Sequence, residues 1–321
     1  MADSSLEAIR IKVRRLTRSQ SPAQITDTEI DEYINTFILF DMPENLYLFS
    51  NKTTFTFYTE PYVDEYDSDN PATQLDDFKN KYTTFEAPVY IAGQLVPFYQ
   101  NREDFYAAYP YETTLNFLAY GDGLTTNFSG TLASFPILKN NNLFSSIDAN
   151  NNSLELHDFV GGAGTTALLG GSGIGTINYV TGEYDLDFSV APASGVAINS
   201  QTRPYLASKP QALLYFNNKF YVRPVPDQAY RVDIEAFKLP TELLSNSQSP
   251  DLDQWSQYIA HGAAIKVYQD RMDIDSVALL MPEFKKQEIL VNRRNVNQQS
   301  RSKVNTVFNS GVALNRSPFS R

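Results

Sequence analysis

Apolar residues recur every three or four positions at both ends of the chain and every second position through most of its middle. Leu6, Ile9, Val13 and Leu16 lie at helical spacing, with Arg10, Arg14 and Arg18 along another face, which predicts an amphipathic first helix. Ser21-Pro22 interrupts it. Thr26 with Glu29 three residues later is a capping-box signature. The helix it opens carries Ile30, Tyr33, Ile34, Phe37 and Ile38 on one stripe and is expected to end at Pro43.

Beyond Asn45 the period falls to two. Phe55, Phe57 and Thr59 alternate with Thr54, Thr56 and Tyr58; Val89 and Ile91 precede Gly93, and Leu95 and Val96 follow it, as in a hairpin. Residues 102–106 suit one short helical turn ending at Pro110. From about 114 to 204 short alternating runs are separated by glycine turns: Leu115, Phe117 and Ala119; Leu154 and Leu156; Tyr184, Leu186 and Phe188. Such spacing predicts a small β-sandwich. Leu213–Phe216, an Asn217-Asn218 turn and Phe220–Val222 predict a further hairpin, and Tyr230, Val232, Ile234 and Ala236 another strand.

Helices return at the end. Ser249 as N-cap and Pro250 at the first helical position open one with Leu252, Trp255, Ile259, Ala263 and Val267 on one face and Tyr258, Ile265 and Met272 on another. A helix apolar on two faces needs neighbours on both sides, and Gly262-Ala263-Ala264 lets one approach closely. A last helix is expected from near Ser276, with Leu280, Phe284 and Val291 inward and a kink or restart at Pro282. These elements predict an α+β fold: a helical bundle formed by the N- and C-terminal helices, β-strands between them, and an inserted β-sandwich. The expected division is 1–113 with 206–300 as a discontinuous core, 114–205 as the insert, and 301–321 as an extended basic arm.

Composition narrows the chemistry. The chain has 321 residues, no cysteine and two histidines, so thiolate metal sites, disulfides, thiol nucleophiles and all-histidine metal centres are excluded. The net charge of −11 is unevenly spread. It is +3 over residues 1–20, −11 over 21–90 and +6 over 292–321. Overall acidity argues against a dedicated duplex-DNA binder, whereas basic ends are either solvated tails or attachment points for an acidic partner. No run of apolar residues approaches the ~18 needed to span a bilayer, and Met1–Gln20 lacks the apolar core of a secretory signal, so synthesis in the cytoplasm is expected.

Candidate catalytic patterns each have a plainer reading. Gly162-Ala163-Gly164-Thr165-Thr166-Ala167 fits a dinucleotide fingerprint, but Gly170, Gly171, Gly173 and Gly175 leave no helix to follow it, so a turn-rich loop is expected. Asp185 with Asp187 and Asp233 with Glu235 are carboxylate pairs on half-buried strands. Asp148, Asn150 and Asn152 begin a calcium loop without its glycine and terminal glutamate, and the 64–69 run is an acidic loop able to hold a hard cation. His157 and His261 lack partners in sequence. No catalytic, cofactor-binding or metal residue is assigned, and no cofactor is expected.

Three passages resemble head-to-tail connector (adaptor, neck) proteins of tailed bacteriophages. They are residues 11–17 with 25–35; Pro88-Val89-Tyr90-Ile91-Ala92-Gly93 with 98–110; and Arg223-Pro224-Val225-Pro226, Tyr230-Arg231-Val232, 240–243 and the helix 260–268. Gly121-Asp122-Gly123, residues 128–132, Gly175-Thr176-Ile177-Asn178-Tyr179, Thr181-Gly182 and residues 191–195 resemble a β-domain of phage tail and baseplate proteins. The resemblance implies a virion protein of the neck, assembled in the host cytoplasm as a homo-oligomeric ring, typically twelvefold. Such a ring sits beneath the portal protein, holds a downstream tail or neck protein, and passes genomic DNA without binding it specifically. It makes no membrane contact. Under it, Trp255, Tyr258, Ile259, Gly262, Ala263, Ile265 and Tyr268 are the subunit-packing candidates. Arg293, Arg294, Arg301, Lys303, Arg316, Pro318 and Phe319 form the candidate portal-docking arm, and the 42 aromatic rings supply contact area. The alternative is a tail-fibre or baseplate protein that uses the β-sandwich to hold glycans or partner proteins. An enzyme of unseen mechanism ranks behind both.

Overall fold

The structure, a computed structural model, describes residues 4–42, 51–68, 75, 78–158 and 166–299, with side chains as far as 293. Strands dominate it: sixteen among the described residues, in sheets of four, eight and four. The expected fold class is therefore corrected. The fold is mostly β, and 114–205 holds one eight-stranded sheet curled towards a barrel, not two stacked sheets. The chain divides into two compact units, Met1–Thr53, Asn80–Thr84 and Ala236–Arg321, and Thr54–Lys79 with Phe85–Glu235.

Five helices are α1 (Leu6–Leu16), α2 (Asp27–Thr36), α3 (Arg102–Ala108), α4 (Ser256–Asp270) and α5 (Ile274–Gln299). Four of them share the core of the first unit. Ser5 caps α1, its hydroxyl accepting from the Ala8 amide. The capping box of α2 is complete: Thr26 Oγ1 accepts from the Glu29 amide at 3.2 Å, and the Glu29 carboxylate accepts from the Thr26 amide at 2.7 Å. A wider turn over Phe37–Asp41 extends α2 and places Phe37 over α4. Helix α4 is central, and ten of its fifteen residues are buried. It starts later than expected: Leu252 is extended, a short 3-10 turn spans Asp253–Trp255, and Ser249 instead accepts a hydrogen bond from Ser4. Helix α5 starts two residues early, with Asp273 accepting from the Ser276 amide and hydroxyl, and runs through Pro282 as one element.

The second unit is built from sheets. In one, the order is β1 (Lys52–Tyr58), β16 (Arg231–Lys238), β3 (Tyr82–Ile91), β4 (Gln94–Val96). In another it is β2 (Glu65–Asp67), β15 (Lys219–Arg223), β14 (Ala212–Phe216), β5 (Phe98–Tyr99). An aromatic core joins them, because alternate residues of each strand face inward. Phe220 on β15 has its ring centroid 5.7 Å from Phe55 and 5.6 Å from Phe57 on β1, and 5.1 Å from Phe85 on β3. Many rings that were expected to serve as contact area are thus spent inside the chain.

The eight-stranded sheet has the order β6 (Thr114–Tyr120), β13 (Ala197–Thr202), β8 (Leu143–Ile147), β9 (Ser153–Asp158), β10 (Thr166–Gly171), β11 (Gly173–Asn178), β12 (Glu183–Phe188), β7 (Asn127–Thr131). It curls around a single core that includes Phe144, Leu156, Leu169, Ile177, Leu186 and Ile198. The glycine-rich stretch after 166 is a hairpin and not the expected loop. A Cβ at Gly173 would lie 2.2 Å from the Asp187 carbonyl oxygen, and one at Gly175 would lie 2.4 Å from that of Asp185. These glycines let β12 approach closely where the sheet bends.

Candidate functional site

Among the described residues no group of three or more histidines and carboxylates is placed to hold a metal. Each acidic pattern has a local use. Asp148 accepts from the amides of Asn150 and Asn152 and from the Asn152 side chain, each at 2.8 Å, so its carboxylate closes its own turn and its pKa is lowered, chiefly by Asn152. In the 64–67 run, Asp64 pairs with Arg223, Glu65 with Lys219, and Asp67 with Lys79 and Lys219. Asp185 accepts from Asn127, and Asp233 from Thr56 and Arg231. Residues 162–165 and 69 lie outside the described residues. His261 is buried in α4 with Nδ1 2.7 Å from the Gln257 carbonyl, and burial lowers its pKa.

The seven subunit-packing candidates come together, but in the wrong place for that role. Trp255, Tyr258, Ile259, Gly262, Ala263, Ile265 and Tyr268 are all buried within the chain. Both apolar faces of α4 are covered by α1, α2 and α5, so no second subunit is needed to hide either. Gly262 serves Phe37, whose ring would lie 2.2 Å from an added Cβ.

The basic N-terminal helix is also used internally. Arg10 makes a two-pronged pair with Asp31, at 2.9 and 2.6 Å, and this hydrogen bonding raises its pKa against the effect of burial. Arg14 pairs with Asp27 and donates to the Ile25 carbonyl. At the other end Arg293 is exposed on α5. Arg294 lies on the same helix, its side chain outside the described residues, as are Arg301, Lys303, Arg316, Pro318 and Phe319.

Two exposed apolar surfaces replace the expected one. On α5, Leu280, Phe284 and Val291 face the core, while Leu279 (79% exposed) on the flank and Ile289 (55%) on the far side are open to solvent. On β6, an edge strand, Leu115 (70%) and Phe117 (54%) point outward, and Phe117 lies 4.7 Å from the exposed ring of Tyr120. The α5 surface has a sequence signal: at 100° per residue, position 289 sits about 160° and position 279 about 120° from the mean direction of 280, 284 and 291. The β6 surface does not, because alternation marks two faces without saying which is covered.

No helix among the described residues is long and apolar enough to cross a membrane. No protein-family model matches the chain, and no curated protein sequence matches it either.

Proposed function

We propose that this protein is a head-to-tail connector of a tailed bacteriophage. In this reading it assembles as a ring, typically twelvefold, between the portal and the next tail or neck protein, and DNA passes through its lumen. The observation that carries the reading is the two-sided helix α5. One face closes the core of its own unit, and the flank and far side present Leu279 and Ile289 to solvent. A ring supplies a cover for that second face, namely another copy of the chain. The fold adds support by bringing parts of the resemblance together: α1 packs against α4, and the Pro88–Gly93 and Tyr230–Val232 passages enter one sheet through β3 and β16.

In this reading the portal-docking role falls to the C-terminal arm, since residues 292–321 carry six basic and no acidic side chains, whereas Arg10 and Arg14 at the other end are engaged by carboxylates of α2. The mass and images of the purified full chain test the assembly. Rings are expected, with Leu279→Glu/Ile289→Glu giving monomers that still melt cooperatively, at a temperature lowered only by the lost assembly. A wild-type chain that stays monomeric at tens of micromolar overturns the reading. Truncation after Asn292 is expected to abolish attachment to portal-containing heads, and unchanged attachment removes the arm from the proposal.

A second reading, a fibre or baseplate protein binding glycans or protein partners, draws on the outward Leu115, Phe117 and Tyr120 of β6. A trimer located at the tail tip of imaged virions would favour it.

A further inference from the structure

Within the second unit, side chains from four separate segments enclose a pocket of about 350 Å³. Arg102 and Tyr106 come from α3, Arg223 from the end of β15, Arg203 from just beyond β13, and Asn141 from the segment before β8; Tyr111 also lines it. Three guanidinium groups therefore meet in one small space. Of these three arginines only Arg223 is paired with a carboxylate among the described residues, that of Asp64, at 2.5 Å. Arg203 donates from Nε to Thr113 Oγ1, and Arg102 lies over the Tyr106 ring at 5.5 Å.

Arg223 is the fixed point of the group. It is 4% exposed, and its guanidinium carbon sits 4.8 Å from the Tyr111 ring centre and 5.8 Å from that of Tyr106. Its Nη1 donates to Asp64 and to the Val222 carbonyl, while its buried Nε–H has no acceptor among the described residues. A buried N–H without an acceptor is costly, and on a cation more so. Aromatic faces hold these arginines in place without neutralising them. Two further guanidiniums at the rim leave the pocket with uncompensated positive charge.

We propose that this pocket is an oxyanion site that takes a phosphate group. Convergence of three arginines from different directions suits a tetrahedral dianion better than a planar monoanion, since each guanidinium can present paired donors to different oxygens. Free phosphate and a phosphate monoester share this chemistry. The proposal is independent of the neck assignment.

Titration calorimetry on the full chain at about 0.1 M NaCl, a salt level that screens loose surface attraction, tests it with inorganic phosphate, glycerol phosphate and acetate. Saturable phosphate binding is expected, with acetate at least about tenfold weaker. Tighter binding of glycerol phosphate than of inorganic phosphate would assign the site to a monoester, and the reverse to the free ion. Arg203→Gln should weaken phosphate binding about tenfold, and Arg102→Gln/Arg203→Gln should abolish it. Both positions are exposed, so melting temperatures without phosphate should stay unchanged and exclude misfolding as the cause. Absence of saturable heat with phosphate, equal binding of acetate, or undiminished binding by the double variant would each overturn the proposal.

Discussion

At the scale of single residues, the helical core depends on one missing methyl group. Gly262 faces Phe37, whose ring packs 5.1 Å from Tyr258 and 6.0 Å from Phe284. Gly262→Ala must displace that ring or bend α4, since the space is already filled; overpacking of this kind costs about 1–3 kcal/mol. Chemical denaturation should show the loss, and a variant as stable as the wild type would mean that the contact has slack. At the preceding residue, burial holds the His261 pKa below its ordinary 6.5, assisted by Lys12 and opposed by the Gln257 carbonyl and Glu283. The sign follows: the unfolded chain takes up the proton first, so the contribution is complete above 6.5 and drains away as pH falls below it. His261→Gln should therefore lose less stability than the wild type between about pH 7 and about pH 5. Parallel stability profiles for the two proteins would rule the histidine out as the titrating group.

Among the elements, the start of α2 was written in the sequence, that of α4 was not, and two helix stops were hidden. Thr26 and Glu29 form the box that their spacing announces. Yet α1 and α4 both end in left-handed residues that are not glycine, Arg18 at φ 54° and Met272 at φ 56°. The hydrogen bonds are those of a Schellman turn: Ser19 N–H to Arg14 O and Arg18 N–H to Arg15 O, then Asp273 N–H to Tyr268 O and Met272 N–H to Gln269 O. Met272→Gly relieves the left-handed penalty and should stabilise the first unit by about 1 kcal/mol, read as a higher denaturation midpoint; a lower midpoint would show that Met272 is not strained. Asn217 and Asn218, by contrast, signal their turn plainly, and both take positive φ as the hairpin between β14 and β15 demands. The glycine-rich stretch misled because glycine permits a close strand contact as readily as a loose loop. The apolar stripes of α4 misled for a related reason: periodicity says that a face is covered, never by which chain.

At the scale of the whole molecule, the fold class was misread because terminal helices stand out in the pattern while short strands accumulate unnoticed. The insert itself is compact in connectivity. Thr114 on β6 pairs with Thr202 on β13, so the points where the chain enters and leaves the eight-stranded sheet are direct cross-strand neighbours. Further ties lie just outside, between Tyr205 N–H and the Pro136 carbonyl and between Arg203 and Thr113. A fragment covering 112–206 should fold alone, since its core is drawn from its own strands. Dispersed amide resonances and a cooperative melt are the expected signs, and a spectrum of an unfolded chain would show that the sheet needs its host.

That pairing of Thr114 with Thr202 also changes what the insert costs during folding. A flexible segment of comparable length would impose about 4 kcal/mol of closure entropy on the elements flanking it. A sheet whose first and last strands lie side by side meets that cost from its own cohesion, and then presents its ends only about 5 Å apart. To the surrounding strands it acts as a short turn. Removing or replacing residues 114–202 therefore leaves the strands on either side in register.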